Sequence, residues 1–234
     1  MIVFVDLEHD RLAQDYPDLA MPSAANRLKI KYRLEDLSGE PCLIMRYHHV
    51  TPDRLRAVGA RALIVSGNTT EFEHYPEATL AGLRAALREA AWPTLAFCGG
   101  SHILSQTYGA DIGPMGALPA GQSVTDPLFS RLAPGMRQER GYLPVRVVHA
   151  HPFFDGLGEA PVFLLSHYWE TRGVPAGFEL FASTEACPVQ MIGRVDRPVY
   201  ATQFHPEQWD DDHPAGRRFL ENFFRVTLKG GTQP

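Results

Sequence analysis

The chain has 234 residues, 44% of them hydrophobic, which suits one compact domain with a core of its own. A formal net charge of -5 with no dense basic run gives no electrostatic footprint for nucleic acid. No apolar run approaches bilayer length and no leader-type segment opens the chain; the three cysteines, Cys42, Cys98 and Cys187, are too sparse for a disulfide framework, so a cytoplasmic protein without membrane contact is expected.

Ile2 to Leu7 reads as a buried first strand, and Ser23 to Leu37 has mixed helical character. Cys42 to Met45 is a second short apolar run. Thr51 and Pro52 stand as N-cap and first helical residue of a short helix. Ala62 to Val65 is a third strand. Pro76 to Trp92 is the clearest helix, with Leu80, Leu83 and Leu87 on one face and Arg84 and Arg88 towards another. Thr94 to Phe97 is a fourth strand, followed by a helix from Gly99 to Tyr108. The stretch 109–137 is rich in glycine and proline and reads as a loop or lid insertion within a single domain over 1–234.

Closely spaced strand candidates follow at Val145 to Val148, Val162 to Leu165, Phe178 to Ser183, Val189 to Val195 and Val199 to Phe204. Pro214 to Leu228 closes the chain with an apolar helix face of Phe219, Leu220, Phe223 and Phe224, and the tail from Gly230 to Pro234 is expected to fray. Asp126-Pro127-Leu128-Phe129 echoes His151-Pro152-Phe153-Phe154, which reads as a pair of turn-and-half-helix connectors. The fold class is α/β: a mostly parallel central sheet with helices on both faces and a smaller antiparallel sub-sheet.

Cys98 stands where an apolar run meets Gly99 and Gly100. A tight turn there would push the side chain out over the sheet edge, and a helix N-terminus would favour negative charge on it. Locally a buried structural cysteine fits as well. His205 ends a strand, Pro206 stops the ladder, and Glu207 lies on the same side as His205 in an extended segment. Thiol, imidazole and carboxylate together are the parts of an activated nucleophile. Acyl chemistry also needs backbone N–H groups for an oxyanion; Gly99 supplies one by position, and the loop Ser66-Gly67-Asn68 leaving the third strand is the candidate for the second. Cys42 and Cys187 lack the glycine turn and read as structural. His48, His49, His149 and His151 come in near-pairs without a carboxylate or cysteine at ligand spacing, so neither metal nor cofactor is expected.

The constellation resembles the class I (triad) glutamine amidotransferases, which include the amidotransferase portion of GMP synthase. Pro93, Cys98 and Gly100 fall on the nucleophile motif P-x-x-G-x-C-x-G-x-Q. Ala201 to Glu207 falls on G-V-Q-F-H-P-E, and Glu139-Arg140-Gly141-Tyr142 on E-x-G-[WY]. Ser166-His167 falls on the S-H segment before the turn Pro175-Ala176-Gly177-Phe178. The likeness runs from about residue 60 to 224; the earlier residues carry no diagnostic motif. The resemblance implies a flavodoxin-like amidotransferase fold. It implies that Cys98 attacks the glutamine side-chain amide, that His205 moves the proton and Glu207 holds the ring, and that Asn68 and Gly99 donate N–H groups to the oxyanion. Gly67, His102, Ser166 and His167 would line the substrate site. No P-loop is present, so ammonia would pass to a separate synthase partner. Ala96 and His102 depart from the motif, which has glycine and glutamine there; His102 keeps a free-standing γ-glutamyl hydrolase open as the alternative.

Overall fold

Alternation along the first strand decides the layers. In β1 (Ile2–Asp6), Ile2 and Phe4 join one hydrophobic core and Val3 and Val5 another, all four fully buried. The same split recurs in β3 (Ala62–Val65) and β4 (Thr94–Phe97), as expected of strands covered on both faces. The computed structural model describes residues 1–228; the tail expected to fray lies outside the described residues.

β2 (Cys42–Arg46), β1, β3, β4 and β12 (Val199–Thr202) run parallel in that order. β11 (Met191–Arg194), β10 (Phe178–Ser183) and β7 (Arg146–Val147) extend the same sheet antiparallel, to eight strands. The antiparallel part therefore continues the main sheet. Two further small antiparallel pairs stand apart: β5 (Asp111–Pro114) with β9 (Trp169–Arg172), and β6 (Glu139–Pro144) with β8 (Val162–His167).

α1 (Leu12–Asp15) leads into α2 (Pro17–Ser38), which packs with α7 (Ala215–Leu228) on one face through Ile30, Leu34, Phe219 and Phe223. α3 (Pro52–Ala57), α4 (Glu77–Glu89) and α5 (Gly99–Thr107) cover the other through Leu55, Leu83, Leu87 and Ile103. Thr51 caps α3 as expected, its side chain accepting from the Arg54 N–H. α2 starts earlier than its periodicity suggested, at Pro17, where a proline needs no N–H partner. Arg84 is largely buried between α4 and α5, its guanidinium donating to Ile103 O and Thr107 Oγ1.

The stretch 109–137 is not wholly loop. It contains β5 and the short helix α6 (Phe129–Leu132), started by Asp126 Oδ1, which accepts from the Leu128 and Phe129 N–H groups at 2.9 and 3.0 Å. The echo segment Pro152–Phe154 makes a single 3-10 turn, where His151 Nδ1 accepts from the Phe153 N–H.

A buried imidazole and a partly buried one predict an acid weakness. Burial lowers His102 and His151, each to about 4. The unfolded chain binds protons near the ordinary 6.5, so stability is full above that value and is lost as pH falls from there towards the folded value. Urea denaturation between about pH 7 and pH 4 should show a loss on the order of 3 kcal/mol per fully buried ring, less for His151. The variant His151→Leu should flatten that slope; an unchanged slope contradicts the assignment.

Candidate active site

The carboxyl ends of β1, β3, β4 and β12 converge on one edge of the sheet, where the strand order reverses between β1 and β3; open α/β sheets bind ligands there. Cys98 sits on that edge between β4 and α5, at φ 46° and ψ -112°, a backbone conformation that a residue with a Cβ rarely adopts. Its N–H donates to Thr202 O at 2.7 Å, and Ser101 Oγ donates to its carbonyl at 2.6 Å, so both neighbouring elements hold the turn. Its sulfur lies 3.9 Å from Ser166 O.

Gly100 lets the start of α5 press on the end of β3. A Cβ there would stand 2.7 Å from both Ser66 O and Val65 O, which are backbone atoms and cannot swing away. Gly100→Ala should therefore destabilise by roughly 1–3 kcal/mol and reduce thiol reactivity, checked by thermal melting and by alkylation kinetics. An unperturbed variant contradicts this packing.

β12 delivers His205, whose backbone N–H donates to Leu164 O at 2.9 Å and so pins the residue against β8. Its Nδ1 donates to Glu207 Oε1 at 2.7 Å. Glu207 is buried, and its other oxygen has no hydrogen-bond partner among the described residues, so its charge is directed at the ring. Burial opposes a charged His205; the Glu207 carboxylate and the Cys98 sulfur outweigh it, and the imidazole is held well above its ordinary value. Arg33 on α2 donates to Glu207 O and Trp209 O, at 2.8 Å each, with its guanidinium over the Trp209 ring. Gly216 at the start of α7 abuts Pro206 O so closely that no Cβ would fit. The His205-Pro206-Glu207 segment is thus clamped from two helices.

Gly67 fills the space between nucleophile and base. A Cβ on it would lie 3.3 Å from Cys98 Cβ and 3.4 Å from His205 Cε1. Asn68 packs on Gly99, where any Cβ would overlap the Asn68 side-chain oxygen and stand 3.1 Å from the Asn68 nitrogen. Cys98, His205, Glu207, Gly67, Asn68 and Gly99 all line one cavity of about 300 Å³.

The walls of that cavity include residues without a sequence signal. Asn26 and Arg27 come from α2, and Leu128, Phe129 and Leu132 from the 109–137 stretch. Arg140 ties the latter down: its Nε donates to Asp126 Oδ2 at 3.1 Å and its Nη1 to Ser166 Oγ at 2.7 Å. Arg131 reaches from α6 to Asp18 of α2 through paired contacts of 2.7 and 3.1 Å. These links join residues far apart in the chain, and no local pattern announces them.

His102 and Ser166 also border the cavity. His102 is nonetheless only 2% exposed, and its Nε2 donates to Gln203 Oε1 at 2.7 Å. His167 borders it too, with its ring turned inward: Nδ1 donates to Trp169 O at 2.9 Å, and Nε2 meets Glu139 Oε2 at 3.0 Å. Glu139 takes a second bond from Gln190 Nε2 at 2.6 Å.

With Cys187 these residues form a second Cys–His–Glu group, distinct from that of Cys98, with ligand atoms within 4.8 Å of one another. The group fits a metal poorly. Its carboxylate and imidazole already bond each other, and Cys187 Sγ donates to Val189 O at 3.6 Å. Burial pushes the Cys187 thiol well up, away from the thiolate a metal needs. Burial likewise pushes Cys42 up to about 12, in keeping with a structural role. Among the described residues no helix is long and apolar enough to cross a membrane.

The family model for glutamine amidotransferase class-I matches residues 30–227, reaching further upstream than the sequence motifs do. A GMP synthase (glutamine-hydrolyzing) of Symbiobacterium thermophilum is 28% identical over 172 residues, which is 73% of this chain but 28% of that protein. A GMP synthase (glutamine-hydrolyzing) subunit of Pyrococcus furiosus is 24% identical over 188 residues, covering 76% of this chain and 82% of the relative. The chain thus spans less than a third of the full-length GMP synthase and most of the Pyrococcus protein. A crystal structure described as a GMP synthase subunit protein of Thermoplasma acidophilum superposes with a TM-score of 0.71 at 22% identity, over 98% of this chain and 94% of that one. A glutamine amido transferase of Methylobacillus flagellatus gives 0.65 at 14% identity, over 100% and 96%. At these identities the two structures establish the fold.

Proposed function

The chain belongs to the class-I glutamine amidotransferase family, and from that premise we propose that it hydrolyses the side-chain amide of glutamine and hands the ammonia to a separate synthase partner. The observation that carries this reading is the strained turn at Cys98 beside an imidazole oriented by a buried carboxylate at 2.7 Å. The Cys98 thiol passes its proton to His205 as its sulfur attacks the amide carbon, and the carbonyl electrons move onto oxygen, where the Asn68 and Gly99 N–H groups receive them. The tetrahedral species collapses as the C–N bond breaks, and His205 gives its proton to the departing nitrogen. Water, activated by the now neutral His205, then cleaves the thioester and returns glutamate and the free enzyme. Glu207 keeps Nδ1 as the donor, so Nε2 faces the chemistry throughout. No cofactor takes part in these steps.

The Pyrococcus furiosus relative, 82% of which the chain covers, is a GMP synthase subunit, and an acceptor-activating enzyme is the corresponding partner here.

One observation favours a second reading, a free-standing hydrolase of γ-glutamyl conjugates. Leu128, Phe129 and Leu132 give the cavity an apolar wall that a leaving group larger than ammonia could occupy. A single assay separates the two. Purified protein is offered glutamine and a series of γ-glutamyl amides, with ammonia and amine release followed separately. Ammonia from glutamine, rising with the synthase present, supports the amidotransferase. Amine release with glutamine inert supports the hydrolase, and no turnover of either sinks both.

A further inference from the structure

Glu8 follows β1, in the part of the chain that carries no family motif, and it is 6% exposed. Its two carboxylate oxygens are spread over the loop that leaves β3. Oε2 accepts from the Thr69 N–H at 2.7 Å and Oε1 from the Thr70 N–H at 3.0 Å. Oε1 takes a further bond from the His9 N–H at 3.2 Å. Among the described residues no cation pairs with this carboxylate; backbone N–H groups alone satisfy it. The loop is closed on itself by Asn68 Nδ2, which donates to Thr70 O at 2.6 Å. The exits of β1 and β3 are tied together by the Leu7 N–H to Ser66 Oγ at 2.9 Å, and Tyr75 Oη, beyond the loop, donates to Leu7 O at 2.9 Å.

We propose that Glu8 is a positioning residue: by gripping the Thr69 and Thr70 N–H groups it fixes the Asn68 backbone N–H where the oxyanion of acyl transfer forms. The inference rests on the reading under Proposed function. Asn68 lies between the gripped amides and Gly99, against which it is in contact, and a shift of the loop would carry its N–H away from the Cys98 turn. A hydrogen-bond donor aimed at a developing charge acts only if it is already in place. A carboxylate suits the task because it presents two acceptors at once, whereas an amide presents one acceptor and sets a donor against the other N–H.

The test uses the full chain with Glu8→Gln and Glu8→Asp. Turnover, alkylation of Cys98 by iodoacetamide, and hydrogen exchange at the Thr69 and Thr70 amides are measured together. Alkylation needs the nucleophile but no oxyanion donor, so it separates the two roles. Glu8→Gln should lower kcat by about 30- to 100-fold, with KM within about threefold and alkylation within about twofold, while both amides exchange at least about tenfold faster. Unchanged kcat overturns the proposal. A raised KM with kcat intact also overturns it, because Glu8 would then bind substrate. So does an equal fall in alkylation, which marks general damage to the site. If Glu8→Gln does not fold, Glu8→Asp, too short to span both N–H groups, must show the same split at about tenfold, and its absence overturns the claim. If the unmodified protein turns over no γ-glutamyl compound, the functional reading falls, and amide exchange alone decides whether Glu8 holds the loop.

Discussion

Cys98→Ala abolishes turnover of glutamine or any γ-glutamyl amide, lowering kcat by roughly 10⁴-fold or more, while leaving the fold unchanged. The size follows from the role: without the sulfur no thioester forms, and neither His205 nor the N–H groups at Asn68 and Gly99 have a covalent intermediate to act on. The fold should survive because the side chain is small and the turn is held by the backbone, through Thr202 O and Ser101 Oγ. Alanine also tolerates the positive φ no worse than cysteine does. A glutamine-mimicking electrophile labels the unmodified protein once, at residue 98, and the variant not at all; intact-mass analysis reads both. Labelling that persists in the variant, at Cys42 or Cys187, would show that a different thiol reacts.

The second large effect is expected at Glu207. Glu207→Gln keeps the shape and removes the charge that outweighs burial of the His205 ring. Two consequences follow. kcat drops by about 10²- to 10³-fold, because the ring loses its fixed orientation and its partner for positive charge. The alkaline limb of the pH–rate profile also moves to lower pH. In the unmodified protein the raised imidazole keeps its proton well past the ordinary histidine value, and that proton must reach the leaving nitrogen; activity is lost as pH rises through the raised value. Without the carboxylate that loss begins earlier. A variant whose alkaline limb stays put, whatever its kcat, would mean that Glu207 does not set the ring's proton affinity.

Much of the site was legible because its chemistry is concentrated in short segments. The turn at Cys98 shows as an apolar strand running into Gly99 and Gly100, and His205 and Glu207 lie together within Gln203 to Glu207. Both segments need particular residue types at fixed spacing, and local sequence records such needs. The parallel strands were equally plain, because burial on both faces leaves a continuous apolar run. The burial of Arg84 was not legible, for the complementary reason. Its spacing put it on the polar side of α4, and only the packing of α5 against that side buries it.

By itself, then, the sequence determined the parallel strands and the short segments that carry Cys98, His205 and Glu207, because periodicity and short motifs are local properties of a chain. The tertiary structure alone decided what surrounds them: the grip of Glu8 on Thr69 and Thr70, the Arg33 clamp behind Glu207, and the apolar wall from Leu128 to Leu132. It also brought Glu139, His167 and Cys187 together as a second buried cluster of the same three residue types. Each of these depends on which distant segments the sheet order makes neighbours, and proximity between strands is a property of topology that no window along the chain contains.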